Sequence, residues 1–289
     1  MTTRCRDRAV LLGRRKSLVG IITPGEEVPG ATKRPMAVIL NAGILHRVGP
    51  NRLHVILARA MAATGSAVLR FDLSGIGDSA PQSDDSSPLE SALSDIKEAL
   101  DWLEANLDQH RFILLGLCSG ADHAILAAAS DSRVAGLILL DPVLPATPQY
   151  FINRTKRKLR KLAQSPYAVV AGRVQHWLSP NENDAMQLDL VAEGGGIEDP
   201  ELMALFRTAY RKSMEAGIAT LAILTDGLEE QHNYREQLVD AFPDAPFEGR
   251  LRVEYYTECD HTFSLEANRA RLIREVVGWI QELSCQGSC

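Results

Sequence analysis

The sequence predicts an α/β protein with a mostly parallel sheet covered by helices. Short apolar segments alternate with segments whose apolar residues recur every three or four positions, as in strands joined by crossover helices. The chain has 289 residues, 45% hydrophobic and 24% charged, which is enough for a large globular core. A glycine-flanked turn at 116–120 joins one apolar segment to a helix, which fits a strand that ends at a functional turn.

In the first half of the chain, the predicted strands are short apolar segments followed by turn residues. They are 16–23, 36–40, 67–71 and the segment that begins at 112. An apolar helix at 53–63 is ended by Gly65, and a second helix opens at Pro88. A third helix begins near Gly120. The second helix has one buried face, formed by Leu89, Leu93, Ile96, Leu100, Leu103 and Leu107.

In the second half, strands are predicted at 134–140, 219–224 and 251–256, followed by an amphipathic helix from about 265 to 283. The alternation stops between 144 and about 198. Asp199 and Pro200 then form an N-cap and a first-turn proline for one more helix. We expect residues 144–216 to form a helical lid, inserted into a core made of 1–143 and 217–289. The glycines at 194–196 are typical of a mobile lid loop.

Composition and charge exclude several classes of function. The net charge of −6 argues against nucleic-acid binding, which needs concentrated basic surface. No apolar run approaches the ~18 residues of a membrane span, and the basic N-terminus is not followed by the hydrophobic segment of a secretory signal. Five irregularly spaced cysteines are typical of a reducing compartment. We therefore expect a soluble, cytoplasmic protein that binds neither membranes nor nucleic acid.

A partial nucleotide-binding motif has the wrong context. Residues 75–80 mimic the dinucleotide fingerprint Gly-x-Gly-x-x-Ala, but a loop ending at Pro88 follows where that motif requires a helix. The sequence also contains no Gly-Lys-Ser/Thr phosphate loop. We expect neither a cofactor nor a metal ion.

The residues around Cys118 carry the main chemical signal. Gly116 and Gly120 flank it at two residues on either side, the spacing of a nucleophile elbow, where a strained strand-to-helix turn needs close backbone approach. Ser119 is a poorer candidate nucleophile because it has no glycine at either of these positions. Helix N-termini and nearby imidazoles lower the pKa of thiols and favour the nucleophilic thiolate. A merely buried cysteine would not need both glycines.

In enzymes built around such an elbow, the nucleophile, acid and histidine follow in that order along the chain. Of seven histidines, only His261 comes directly after the final predicted strand and before the last helix. The acid is expected after the penultimate strand, where the spacing favours Glu229 slightly over Asp226. Glu230 is an alternative, and so is Asp141 at the end of the preceding strand. A thiolate nucleophile depends less on this third member than an alkoxide does.

Acyl transfer also requires an oxyanion hole, whose N–H donors contribute roughly 3 kcal/mol each. One donor is expected from Ser119, directly after the nucleophile, and the other from Gly43 or Ile44, after the strand at 36–40. His46 and Arg47 follow in the same loop and are candidate substrate-binding residues. Arg47 would hold a substrate carboxylate or phosphate, or else form a structural salt bridge.

With these residues placed, the chain resembles the α/β-hydrolase superfamily over essentially its whole length. The match is carried by residues 41–50, by 70–79 with an Asp-x-x-Gly-x-Gly-x-Ser turn, and by the elbow with residues 260–263. It is also similar to bacterial serine aminopeptidase-type and exosortase-associated hydrolases. The resemblance implies the α/β-hydrolase fold and covalent acyl chemistry. Cysteine at the elbow appears among relatives in dienelactone hydrolases, polyhydroxyalkanoate synthases, some thioesterase-like proteins and aminoacyl shuttles of nonribosomal peptide assembly.

We therefore expect a cysteine-nucleophile hydrolase of a small-molecule ester or thioester, acting through an acyl-Cys118 intermediate. An acyltransferase is the alternative, because an acyl-cysteine is itself a thioester and can pass its acyl group to a thiol or an amine. The basic segment 154–161 would then dock an acyl- or peptidyl-carrier protein, although basic helix faces are more often simply solvated. A non-catalytic binding protein is a third possibility, disfavoured by the Cys118 and His261 pair.

Overall fold

The computed structural model describes residues 7–27, 34–82, 85–164 and 199–286. A sheet of eight strands lies at the centre of the described structure. The strands are β1 (Arg8–Leu12), β2 (Leu18–Thr23), β3 (Met36–Ile39), β4 (Val68–Phe71), β5 (Phe112–Leu117), β6 (Val134–Leu140), β7 (Ala219–Thr225) and β8 (Leu251–Tyr256). Their spatial order is β1-β2-β4-β3-β5-β6-β7-β8.

Seven α-helices connect or follow these strands within the described ranges. They are α1 (Leu53–Ala62), α2 (Pro88–Leu107), α3 (Ser119–Ala128), α4 (Pro148–Gln164), α5 (Pro200–Glu215), α6 (Gln237–Ala241) and α7 (Glu266–Gln286). The start of α2 is fixed by a capping box, in which the Ser87 hydroxyl accepts from the Glu90 amide and the Glu90 carboxylate accepts from the Ser87 amide.

The sheet confirms the predicted fold class. From β4 to β8 all neighbouring strands pair in parallel, and β2 joins β4 antiparallel at one side. Because parallel strands end at the same edge of a sheet, the loops after β5, β6, β7 and β8 lie next to one another. The predicted elbow and the predicted histidine loop are two of these four loops.

Both faces of the sheet are covered by helices. Successive residues of β5 alternate between two cores: Leu114 belongs to the core under α2, α3 and α5, and Ile113 and Leu115 belong to the core under α1 and α7. This two-residue alternation follows from strand geometry. Burial on both faces explains why β5, β6 and β7 are nearly continuous apolar segments in the sequence.

The first strand was not predicted from the sequence. β1 pairs only with β2, at the edge of the sheet, and most of its residues are partly or fully exposed. An exposed edge strand does not need the apolar segment that identifies the central strands.

The predicted lid region, 144–216, lies only partly within the described residues. Residues 165–198, including the glycines at 194–196, are outside them. At its C-terminal end, α5 places Phe206, Tyr210 and Met214 in the same core as α3. This helix therefore belongs to the layer that covers the sheet, and the lid itself stays a prediction for the residues before it.

The described ranges contain neither a membrane-spanning helix nor a cluster of metal ligands. None of their helices combines the length and apolar character needed to cross a membrane. Nor do these ranges contain a group of three or more His, Cys, Asp or Glu side chains arranged to hold a metal ion.

Candidate active site

The elbow predicted around Cys118 is formed at the turn between β5 and α3. Cys118 has φ 55° and ψ −126°, a strained backbone conformation for a non-glycine residue. A Cβ on Gly116 would lie 2.0 Å from the carbonyl carbon of Gly120, and a Cβ on Gly120 would lie 2.4 Å from the carbonyl oxygen of Asn41. Both glycines are therefore required by close backbone approach.

His261 and Asp141 meet at the carboxyl edge of the sheet. The Nδ1 atom of His261 lies 2.9 Å from Oδ2 of Asp141, which is completely buried at the end of β6. Thr225, at the end of β7, donates to the same carboxylate through its amide (2.6 Å) and its hydroxyl (2.7 Å). Nε2 of His232, also fully buried, lies 3.2 Å from Oδ1. The carboxylate is thus surrounded by groups that favour its charged form.

These contacts shift the pKa values of both partners. Burial would raise the pKa of Asp141, but interactions with His232 and His261 outweigh it and hold that pKa below its usual value. Burial would likewise lower the pKa of His261. The hydrogen bond and the negative charge of Asp141, with a contribution from the nearby Cys118, outweigh this burial and raise the pKa to about 10. The structure therefore favours an imidazolium at neutral pH.

The structure does not bring Asp226 to the ring of His261. Its carboxylate accepts from the amides of Glu258 (2.8 Å) and Cys259 (3.0 Å), and so fixes the loop that leads to the histidine. The acid beside the imidazole is Asp141, one of the alternatives left open by the sequence. The sequence placed the acid after β7, because the usual turn puts it a few residues past that strand, whereas the ring of His261 meets the carboxylate that follows β6.

Glu229, the acid slightly favoured by the sequence, lies on the surface. Its carboxylate is 43% exposed and forms an ion pair with Arg157 of α4 at 2.7 Å. The neighbouring Glu230 accepts a hydrogen bond at its backbone carbonyl from the Tyr150 hydroxyl. Neither carboxylate has a hydrogen bond to a histidine in the described structure. Both residues instead connect α4 to the loop after β7.

The residues predicted for the oxyanion hole lie next to the elbow. The amide of Cys118 donates to the carbonyl of Leu140, but within the described ranges the amide of Ser119 has no hydrogen-bond acceptor. This is expected for the first residue of a helix. The amide of Gly43 donates to the Ser119 hydroxyl at 2.9 Å. Ile44 follows Gly43 in the same exposed loop.

Of the two predicted substrate-binding residues, Arg47 is engaged within the protein. Its guanidinium pairs with Asp72 and with Asp78 (2.6 Å), and its amide donates to Asp72 at 2.6 Å. This is the structural salt bridge considered from the sequence. It holds the loop after β3 against the turn after β4. His46 is exposed, and its Nδ1 accepts a long hydrogen bond from the Val48 amide, so its contact with substrate stays a prediction.

Three supporting residues were missed in the sequence. The side chain of Asn41 donates to the Leu45 carbonyl and accepts from the Leu73 amide, which fixes the loop that contains Gly43. Thr225, the last residue of β7, and His232, in the loop after it, contact the carboxylate of Asp141. The direct position of Thr225 at a predicted strand end is a usable signal, whereas nothing local distinguishes His232 from the other histidines.

Comparison with known proteins is consistent with this geometry. A family model described as serine aminopeptidase, S33, matches residues 38–189, which is more than half of the chain. The matched range includes the elbow and Asp141 and ends before His261. No curated protein sequence shows significant similarity to the chain.

Several solved structures share the fold at low sequence identity. An α/β serine hydrolase homologue from Coxiella burnetii has a TM-score of 0.57 and 16% identity, covering 96% of this chain and 97% of that one. An esterase from Pyrococcus furiosus has a TM-score of 0.57 and 14% identity, covering 96% and 90%. Est1E from Butyrivibrio proteoclasticus, solved with ferulic acid bound, has a TM-score of 0.59 and 15% identity, covering 92% and 95%. The chain therefore belongs to the serine aminopeptidase S33 family of α/β-hydrolase enzymes.

Proposed function

We propose that the protein hydrolyses a small-molecule ester or thioester through an acyl intermediate on Cys118. The observation that carries this proposal is the strained elbow at Cys118 together with His261, whose Nδ1 lies 2.9 Å from the buried carboxylate of Asp141. A nucleophile, a base and a group that orients the base are the three parts that acyl-transfer catalysis needs.

The place of the sulfur supports cysteine as the nucleophile in a family named for serine. Cys118 occupies the elbow between Gly116 and Gly120, both of which are required by close backbone approach, and its side chain is only partly buried. A thiol at a helix N-terminus, with a histidine supplied by another loop, can act as a nucleophile in the place of a hydroxyl.

Catalysis would begin with attack of the Cys118 sulfur on the substrate carbonyl carbon. The carbonyl electron pair moves to oxygen, where the free amide of Ser119 donates to it. Collapse of this intermediate expels the alkoxide or thiolate, which takes its proton from His261. The neutral imidazole then removes a proton from water as the water attacks the acyl group. Departure of the acid breaks the bond to sulfur, leaves the proton from water with the pair of Cys118 and His261, and so restores the free enzyme.

Transfer to a thiol or an amine is the alternative fate of the same acyl-cysteine. The basic surface of α4 favours it: Lys156, Lys158 and Arg160 are exposed, and the described structure shows no ion pair for them. Such a surface would attract an acidic carrier protein that presents an acyl thioester. Water and carrier would then compete for one intermediate.

The experiment is acylation followed by intact mass. Wild-type protein, Cys118→Ala and Cys118→Ser are incubated with p-nitrophenyl esters and with acyl thioesters of N-acetylcysteamine, then with water alone or with a thiol or amine acceptor. We expect an adduct on the wild type, none at this position in Cys118→Ala, and slower acylation of Cys118→Ser, because a hydroxyl is a weaker nucleophile than a thiol.

Loss of the adduct in water supports hydrolysis, and loss only after addition of an acceptor supports transfer. An adduct of undiminished amount on folded Cys118→Ala would refute the cysteine mechanism. The cytoplasmic location that we predict from the cysteine content would keep this thiol reduced.

A further inference from the structure

The side chain of Ser119 occupies an unexpected position in the oxyanion region. Its Oγ accepts the hydrogen bond from the Gly43 amide at 2.9 Å, and Gly43 is one of the residues predicted to donate to the substrate oxygen. The amide proton of Gly43 therefore points at a hydroxyl of the protein. Ser119 is also the residue next to the nucleophile in sequence, so this hydroxyl lies beside the elbow.

A hydroxyl that accepts one hydrogen bond still has its own proton to donate. Within the described part of the chain, Oγ of Ser119 has no hydrogen-bond partner other than Gly43. Ser119 is only partly buried, and Gly43, its hydrogen-bond partner, is exposed. The donor of the Ser119 hydroxyl is thus available to a group that enters from solvent.

We propose that the Ser119 hydroxyl is a donor of the oxyanion hole. The Gly43 amide donates to Oγ, and the O–H donates to the oxyanion that forms beside Cys118, together with the amide of Ser119. Hydrogen bonds in a chain polarise one another, so the bond from Gly43 makes the hydroxyl a stronger donor. The proposal rests on the proposed function, and in it the Ser119 hydroxyl donates to the oxyanion in the place expected for the Gly43 amide.

The competing explanation is that Oγ blocks the hole. In that case it occupies the place that the substrate oxygen takes on the Gly43 amide, and it must rotate away before acylation. The two explanations predict opposite signs. Removing a donor slows acylation, typically by about 10²–10³-fold, whereas removing a blocking group leaves acylation equal or makes it faster.

The test measures two reactions of the same thiol in Ser119→Ala, Ser119→Thr and Ser119→Gly. Acylation by a p-nitrophenyl ester forms an oxyanion, but alkylation by iodoacetamide does not. We expect acylation to fall about 10²–10³-fold in Ser119→Ala and Ser119→Gly, with recovery of most of that loss in Ser119→Thr. The rate of alkylation should change by less than about threefold in all three variants. Ser130→Ala, an exposed serine just after α3, is the matched control.

Equal or faster acylation of Ser119→Ala would overturn the proposal, and so would a parallel loss of alkylation, which indicates a damaged elbow or thiol. Ser119→Gly decides the question if Ser119→Ala does not fold. Failure of the proposed function would be distinct, because wild-type protein itself would then form no adduct at Cys118.

Discussion

Replacing Asp141 with Asn tests the charge that holds His261. The substitution keeps the size of the side chain and leaves Oδ1 to accept from the Thr225 amide, but it removes the negative charge 2.9 Å from Nδ1. The Nδ2 group of the new amide would then take the place of Oδ2, which faces both the ring nitrogen of His261 and the Thr225 hydroxyl. Because a carboxylate accepts from both and an amide nitrogen from neither, the histidine loses its anchor as well as its counter-charge.

The size of the effect follows from the pKa of His261. A rise from 6.5 to about 10 corresponds to roughly 5 kcal/mol of preferential stabilisation of the imidazolium, shared between Asp141 and Cys118. Since this pKa is raised on folding, the associated stability is complete below about pH 6.5 and is lost as the pH rises through about 10. The Asn variant should lose a large part of that stabilisation. Its free energy of unfolding should therefore decrease less than that of the wild type as the pH is raised to about 10.

The assay combines NMR titration of the His261 ring with rates of acylation and alkylation between pH 5 and pH 10 or so. We expect a lower pKa for the imidazole in the Asn variant and acylation slower by about 10²–10⁴-fold at neutral pH, since a triad carboxylate lost to an amide costs up to about 10⁴. Glu229→Gln is the matched control, because that carboxylate is exposed and pairs with Arg157. An unchanged imidazole pKa in the Asn variant, or an equal loss in the control, would refute the assignment of Asp141.

Two further predictions concern stability. Burial raises the pKa of Asp122 to about 7, although the hydrogen bond from the Val143 amide acts to lower it. The free energy of unfolding should therefore decrease by up to ~4 kcal/mol as the pH rises from about 4 to about 7. Urea unfolding of Asp122→Asn should show no such decrease, and the same decrease in this variant would contradict the prediction. In Gly120→Ala, the new Cβ would meet the Asn41 carbonyl at 2.4 Å, so we expect a loss of about 1–3 kcal/mol in urea unfolding. Gly278→Ala, with nothing within 4 Å, is the control, and equal stability of the two variants would show that the elbow tolerates a side chain.

The central strands and the elbow were predictable from local sequence. The prediction at 134–140 coincides with β6, since a strand buried between two helical layers is apolar along almost its whole length. The prediction at 251–256 coincides with β8, an edge strand that is only partly buried and contains Arg252 and Glu254. The glycines at 116 and 120 were equally informative, because each is required by a backbone atom less than 2.5 Å from where a Cβ would be. In both cases one local constraint determines the residue type.

The acid could not be predicted in the same way. Asp141, Asp226 and Glu229 all follow strands that end at the same edge of the sheet, so spacing along the chain does not distinguish them. What distinguishes them is three-dimensional: Thr225 from β7 donates twice to a carboxylate on β6, while Asp226 turns toward backbone amides. Contacts between neighbouring strands decide which carboxylate lies beside His261, and these contacts cannot be read from the sequence of a single loop.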